Sequence, residues 1–170
     1  MSKKLIKTFV IITILSLILG TLLHYTYEWS GNNPIVGAFS SINESTWEHL
    51  KLTFYPMLFL GFISYFFIKD ISNNFIQGLT IGILVSIIFT IVFFYGYQLI
   101  LGTNITFLNI LDFILSVIIG NFTFYKIISM ENFSTVYTRL LCVAILISLF
   151  ICFVYFTYFP PNYRIFISPI

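Results

Sequence analysis

FIQGLTIGILVSIIFTIVFFYGYQ, residues 75–98, runs without an acidic or basic side chain. It exceeds the roughly 20 apolar residues that a helix needs to cross a bilayer. Gly78, Gly82, Ser86 and Thr90 recur along it every four residues. On a helix that spacing places small side chains on one face, where a neighbouring backbone can approach closely. One such stretch could be a buried core helix, so the fold class depends on what surrounds it.

Four more stretches of the same kind flank it, at residues 8–27, 52–68, 107–128 and 136–159. Short polar connectors are expected at 69–74 and 126–134, with a tight turn at Gly102-Thr103-Asn104. Composition agrees: 59% of the chain is hydrophobic and only 8% is charged, against about 25% charged in an ordinary soluble domain. A soluble chain of this length must expose much of its surface to water and needs charge to do so. The expected fold is therefore all-α, a polytopic transmembrane helical bundle of five spans forming one integral membrane domain over residues 1–170. Membrane lipid is its expected surroundings, and the cell membrane its expected location.

Charge sets the expected orientation. With the N-terminus in the cytoplasm, Lys3, Lys4, Lys7, Lys69, Lys126 and Arg139 fall inside, and Lys51 and Arg164 outside. That is the bias of cytoplasmic loops toward Lys and Arg, and an odd number of spans then sends the C-terminus out. The first stretch has the basic start and apolar run of a signal peptide, yet no A-x-A-like cleavage site follows it. It continues instead into Tyr25, Tyr27 and Trp29, an aromatic belt of the kind found at membrane interfaces, so we expect an uncleaved span.

Net charge is +2 with scattered basic residues, which gives no electrostatic footprint for nucleic acid. Cys142 and Cys152 are ten residues apart in one apolar run, so they are expected as unpaired small hydrophobes. Abundant Phe, Tyr, Ile and Asn suggest an AT-rich bacterial source.

This topology gathers the unusual chemistry at the outer side. His24 and Glu28 end the first helix, Glu44, Glu48, His49 and Lys51 precede the second span, and Asp112 lies about five residues inside the fourth. Helical spacing aligns Thr13, Ser16, Gly20, His24 and Glu28 on one face, and Asn109, Asp112, Ser116, Gly120 and Thr123 on another. Glu44, Glu48, Lys51 and Tyr55 form a third row, with His49 about 100° away. Lipid offers no hydrogen-bond partners, so such stripes face the bundle interior. Ser41 with Glu44, or Ser45 with Glu48, has capping-box spacing and starts a helix that runs into the second span. Pro56 within it leaves the Leu52 carbonyl without its usual donor. Residues 35–39 are too short to cross and are expected to fold over the helix ends as a re-entrant or interfacial piece.

The outer segment 28–51 permits a plain solvated loop anchored by Trp29 and Trp47, and it permits a site. The candidate ligand-binding residues are His24, Glu28, Glu44, Glu48, His49, Lys51 and Asp112. Imidazole and carboxylate ligands suit a divalent metal such as zinc, iron or manganese, for which His24, Glu48, His49 and Asp112 are the candidate set. No H-E-x-x-H pattern is present, and no catalytic residue is assigned.

The runs His24-Tyr25-Thr26-Tyr27-Glu28-Trp29-Ser30-Gly31 and Asn43-Glu44-Ser45-Thr46-Trp47-Glu48-His49-Leu50-Lys51, with the later Phe159-Pro160-Pro161, resemble a family of uncharacterised multi-pass membrane proteins from low-GC Gram-positive bacteria. The resemblance covers nearly the whole chain, although the run after Pro161, to Ser168-Pro169-Ile170, is shorter than it leads one to expect. It implies no activity. Three functions stay open: a pocket near the outer leaflet for a small ligand or cation, a membrane-embedded metal-assisted enzyme acting on lipid or envelope substrate, and a structural or assembly partner of another protein or of a second copy.

Overall fold

The computed structural model describes residues 3–69 and 72–168. Six α-helices follow one another: α1 (Lys3–Trp29), α2 (Pro34–Gly37), α3 (Thr46–Ile68), α4 (Phe75–Leu101), α5 (Thr106–Ile128) and α6 (Val136–Tyr158). A short 3-10 turn, Arg164–Phe166, comes after them, and no strand occurs among the described residues. Five of the helices are long and apolar enough to cross a bilayer, as the all-α reading of the sequence requires.

α3 and α4 outrun their apolar stretches because caps, not hydropathy, decide where helices begin and end. Ser45 begins α3, its side chain accepting the Glu48 N–H. Gly102, at φ +69°, closes α4 in the left-handed conformation that glycine adopts without strain. Thr135 and Thr138 make a reciprocal capping box at the start of α6. Of the expected connector at 69–74, residues 70 and 71 lie outside the described residues, as do 169 and 170.

α4 packs most extensively on α5, and α1 on α3 and α5. The small-residue face explains the first contact. A side chain at Gly82 would come within 2.7 Å of the Gly120 carbonyl oxygen, and one at Gly120 within 2.8 Å of that of Gly82. The two backbones touch there, and Ser86 packs beside Gly120. Phe9, Phe54, Leu79, Ile83 and Phe124 fill the interior around this seam.

Opposite the described N-terminal end of α1, residues 30–45 form a strap across the bundle. α2 is a single turn capped by Asn33, whose side chain accepts the Ile35 N–H. The strap is tied down by polar contacts, those of Lys51 and Tyr55 buried. Ser40 Oγ meets Thr26 and the Tyr27 N–H. Tyr55 donates to the Ala38 carbonyl at 3.1 Å, Lys51 to the Gly37 carbonyl at 2.8 Å, and Tyr158 to the Pro34 carbonyl.

Candidate functional site

The expected polar row of α3 divides into two groups with different surroundings. Glu48 and Lys51, one turn apart on the inner face, are both buried and ion-paired at 2.6 Å. Lys51 Nζ also donates to the Gly37 carbonyl and to Thr157 Oγ1 of α6. The second Glu48 oxygen lies 3.1 Å from that threonine hydroxyl, and the first accepts the Ile42 N–H at 3.0 Å. All three ammonium protons have acceptors, so the pair is a closed lock between α3, the strap and α6. Thr157 was not among the sequence candidates, although a hydroxyl in the last turn of an apolar helix was a visible signal.

His49 stands on a different face of α3 and meets His24 at the end of α1. Their Nε2 atoms are 3.3 Å apart. Glu44, carried by the strap just before the α3 cap, approaches both: one oxygen is 3.4 Å from His49 Nε2 and the other 3.8 Å from His24 Nε2. Asn43 positions it, its side chain accepting the Ser45 N–H while its carbonyl accepts from Ser41. Glu44 thus belongs with the histidines and not with Glu48, because the helix begins only after it. Of the four-residue set expected for a metal, the structure joins His24 and His49, replaces Glu48 by Glu44 at their side, and leaves Asp112 further along the same cavity. Glu28 is exposed at the end of α1.

His49 Nδ1 lies 3.0 Å from the Ser45 carbonyl oxygen. A carbonyl can only accept, so Nδ1 carries a proton, and Nε2 is the atom turned toward His24 and Glu44: it donates to the carboxylate when the ring is protonated and offers a lone pair when the ring is neutral. Hydrogen bonding from His49 holds the Glu44 carboxyl below the usual carboxylate range; partial burial pulls it back, and the positive charge of His49 and then His24 adds to the lowering.

The group fits a tetrahedral ion. Nitrogen ligands about 2.0–2.1 Å from zinc stand about 3.3 Å from one another, which matches the separation of the two Nε2 atoms, 3.3 Å. One ligand atom from each of the three residues lies within 4.8 Å of the others. Glu44, its side chain 64% exposed, is free to swing the remaining distance. A backbone carbonyl orienting the far nitrogen of a histidine is the outer-shell arrangement that metal sites use.

This group edges a cavity of about 490 Å³ between α1, α3, α4 and α5. Leu52, whose carbonyl is freed by Pro56, lies in its wall. A Cβ on Gly20 of α1 would stand 2.4 Å from that carbonyl oxygen, so the glycine lets α1 close over the break. Asp112 of α5 also lines the cavity, only 2% exposed, and its Oδ1 has no hydrogen-bond partner among the described residues. Phe94 and Phe113 line the same cavity.

A family model matches residues 1–170, the full length of the chain. The chain belongs to DUF6512, a family of unknown function. An unassigned family spanning the whole chain is what the resemblance implied. No curated protein and no solved structure matches the chain.

Proposed function

We propose that this DUF6512 protein is a multi-pass protein of a bacterial cell membrane, with its N-terminus in the cytoplasm, that binds a divalent transition-metal ion of the zinc class. The binding site lies at the outer end of the bundle and consists of His24, Glu44 and His49. The convergence of two imidazole Nε2 atoms and a carboxylate, with the second nitrogen of His49 held by Ser45, carries this reading. Three protein ligands leave at least one coordination position open, and the adjoining cavity gives that position room for a small ligand. The six-to-two distribution of Lys and Arg supports an orientation with this end outside. Its role is binding; the assembly-partner and enzyme readings lack a comparable observation.

The test is zinc binding by the detergent-purified protein, measured by competition with a chromophoric chelator and by elemental analysis. One equivalent of zinc, lost in His49→Ala and Glu44→Gln, supports the reading. Zinc that does not bind, or binds equally to both variants, ends it.

A further inference from the structure

The cavity has a second pole that the metal reading does not use. Asp112 is 2% exposed, sits in the second turn of α5 and finds no donor for Oδ1 among the described residues. Carboxylates within membrane-spanning helices are costly unless something positive or proton-donating meets them. Three polar side chains of the cavity wall donate elsewhere: Thr53 to the Leu50 carbonyl, Thr90 to that of Ser86, and Asn109 to Asn104. The same cavity is also lined by the aromatic side chains of Phe94 and Phe113. A carboxylate and aromatic rings in one cavity are the groups that recognise an organic ammonium, by charge-assisted hydrogen bonding to the oxygen and attraction of the cation to the ring faces.

We infer that Asp112, with Phe94 and Phe113, forms a subsite for the primary ammonium group of a small organic ligand that enters the cavity. This subsite shares the cavity of the proposed metal site but does not depend on the metal. Two sources supply such a group at a membrane surface: a free amine, and the ethanolamine headgroup of a phospholipid. The volume of about 490 Å³ admits either.

The experiment uses the full chain and two probes, each without and with zinc. Free ethanolamine is titrated calorimetrically into detergent-solubilised protein. Separately, nanodiscs of phosphatidylethanolamine or phosphatidylcholine are compared by native mass spectrometry for lipid retained on the protein. Saturable binding of ethanolamine, or selective retention of the ethanolamine lipid, is expected, and which arm responds identifies the source. Loss of a charge-assisted bond is worth about ten- to hundred-fold in affinity, so Asp112→Asn should weaken the responding probe by that factor. Zinc affinity in that variant should stay within about three-fold of wild type. Phe94→Leu, which keeps the carboxylate, should weaken the same probe by about three-fold or more, and covers the case in which Asp112→Asn fails to fold. No saturable response to either probe in the wild type overturns the inference, as does a wild-type response in Asp112→Asn. A zinc affinity that falls in Asp112→Asn as far as in His49→Ala also overturns it, by making Asp112 a metal ligand. Failure of zinc binding alone leaves the ammonium response to be read by itself.

Discussion

His49 is held by both of its nitrogens, one by a backbone carbonyl and the other turned to His24 and Glu44. A ring fixed this way loses little freedom when it takes a metal, and removing it removes a preset ligand. Loss of an outer-shell partner commonly costs about 10–100-fold in metal affinity, so His49→Ala should exceed that in a chelator competition. Glu44 offers a second measurement. Its folded-state carboxyl titrates below the usual 4.5, so its contribution to stability is complete above that value and is lost as pH falls through the lowered one. Metal-free protein should therefore melt at lower temperature as pH drops from about 6 to about 3, and Glu44→Gln should flatten that decline.

At the scale of elements, the Glu48–Lys51 pair and the Gly20–Leu52 approach hold the site without touching it. Lys51→Met leaves a buried carboxylate unpaired at the point where Glu48 receives the strap's Ile42 N–H. The expected cost is about 3–5 kcal/mol, read by denaturant titration in mixed micelles. Zinc affinity should fall as well, because the strap that carries Glu44 loosens. Replacing Gly20 with Ala drives a methyl against a backbone oxygen at 2.4 Å, at a cost of about 1–3 kcal/mol, and should separate His24 from His49.

The sequence made the helices legible because long uncharged runs leave few other conformations, and Ser45, Pro56 and Gly102 marked caps and a break that the structure contains. The pairing of side chains at the site was less legible. Periodicity put Glu44 in a row with Glu48, but that row presumed a helix through residue 44, and the chain is extended at Ser45. Beyond Glu48, the partners of Lys51 come from α2 and α6, and no local spacing reports which distant helix will lie alongside.

The whole molecule is an odd-numbered bundle with its chemistry at one end. If the Lys and Arg asymmetry sets its orientation, reporters fused at the two termini should report opposite sides of the membrane. Agreement between the two reporters would reverse or break that topology. The seam between α4 and α5 is the mechanical core, since Gly82 and Gly120 bring two backbones into contact. Gly120→Leu should therefore cost more than any single lipid-facing substitution, well above the roughly 0.5 kcal/mol range of neutral surface changes, and should collapse the cavity along with the fold.

The contact of Thr157 with Lys51 and Glu48 joins residues more than a hundred positions apart. On the ribosome, the strap emerges long before the helix that fastens it. Until residue 157 has been made and α6 inserted, the Glu48–Lys51 pair lacks one of its walls, and the strap cannot settle over the ends of α1 and α3. Metal capture at the proposed site therefore belongs to the end of biogenesis. A nascent chain stalled before α6 should display the two histidines but hold Glu44 too loosely to retain zinc.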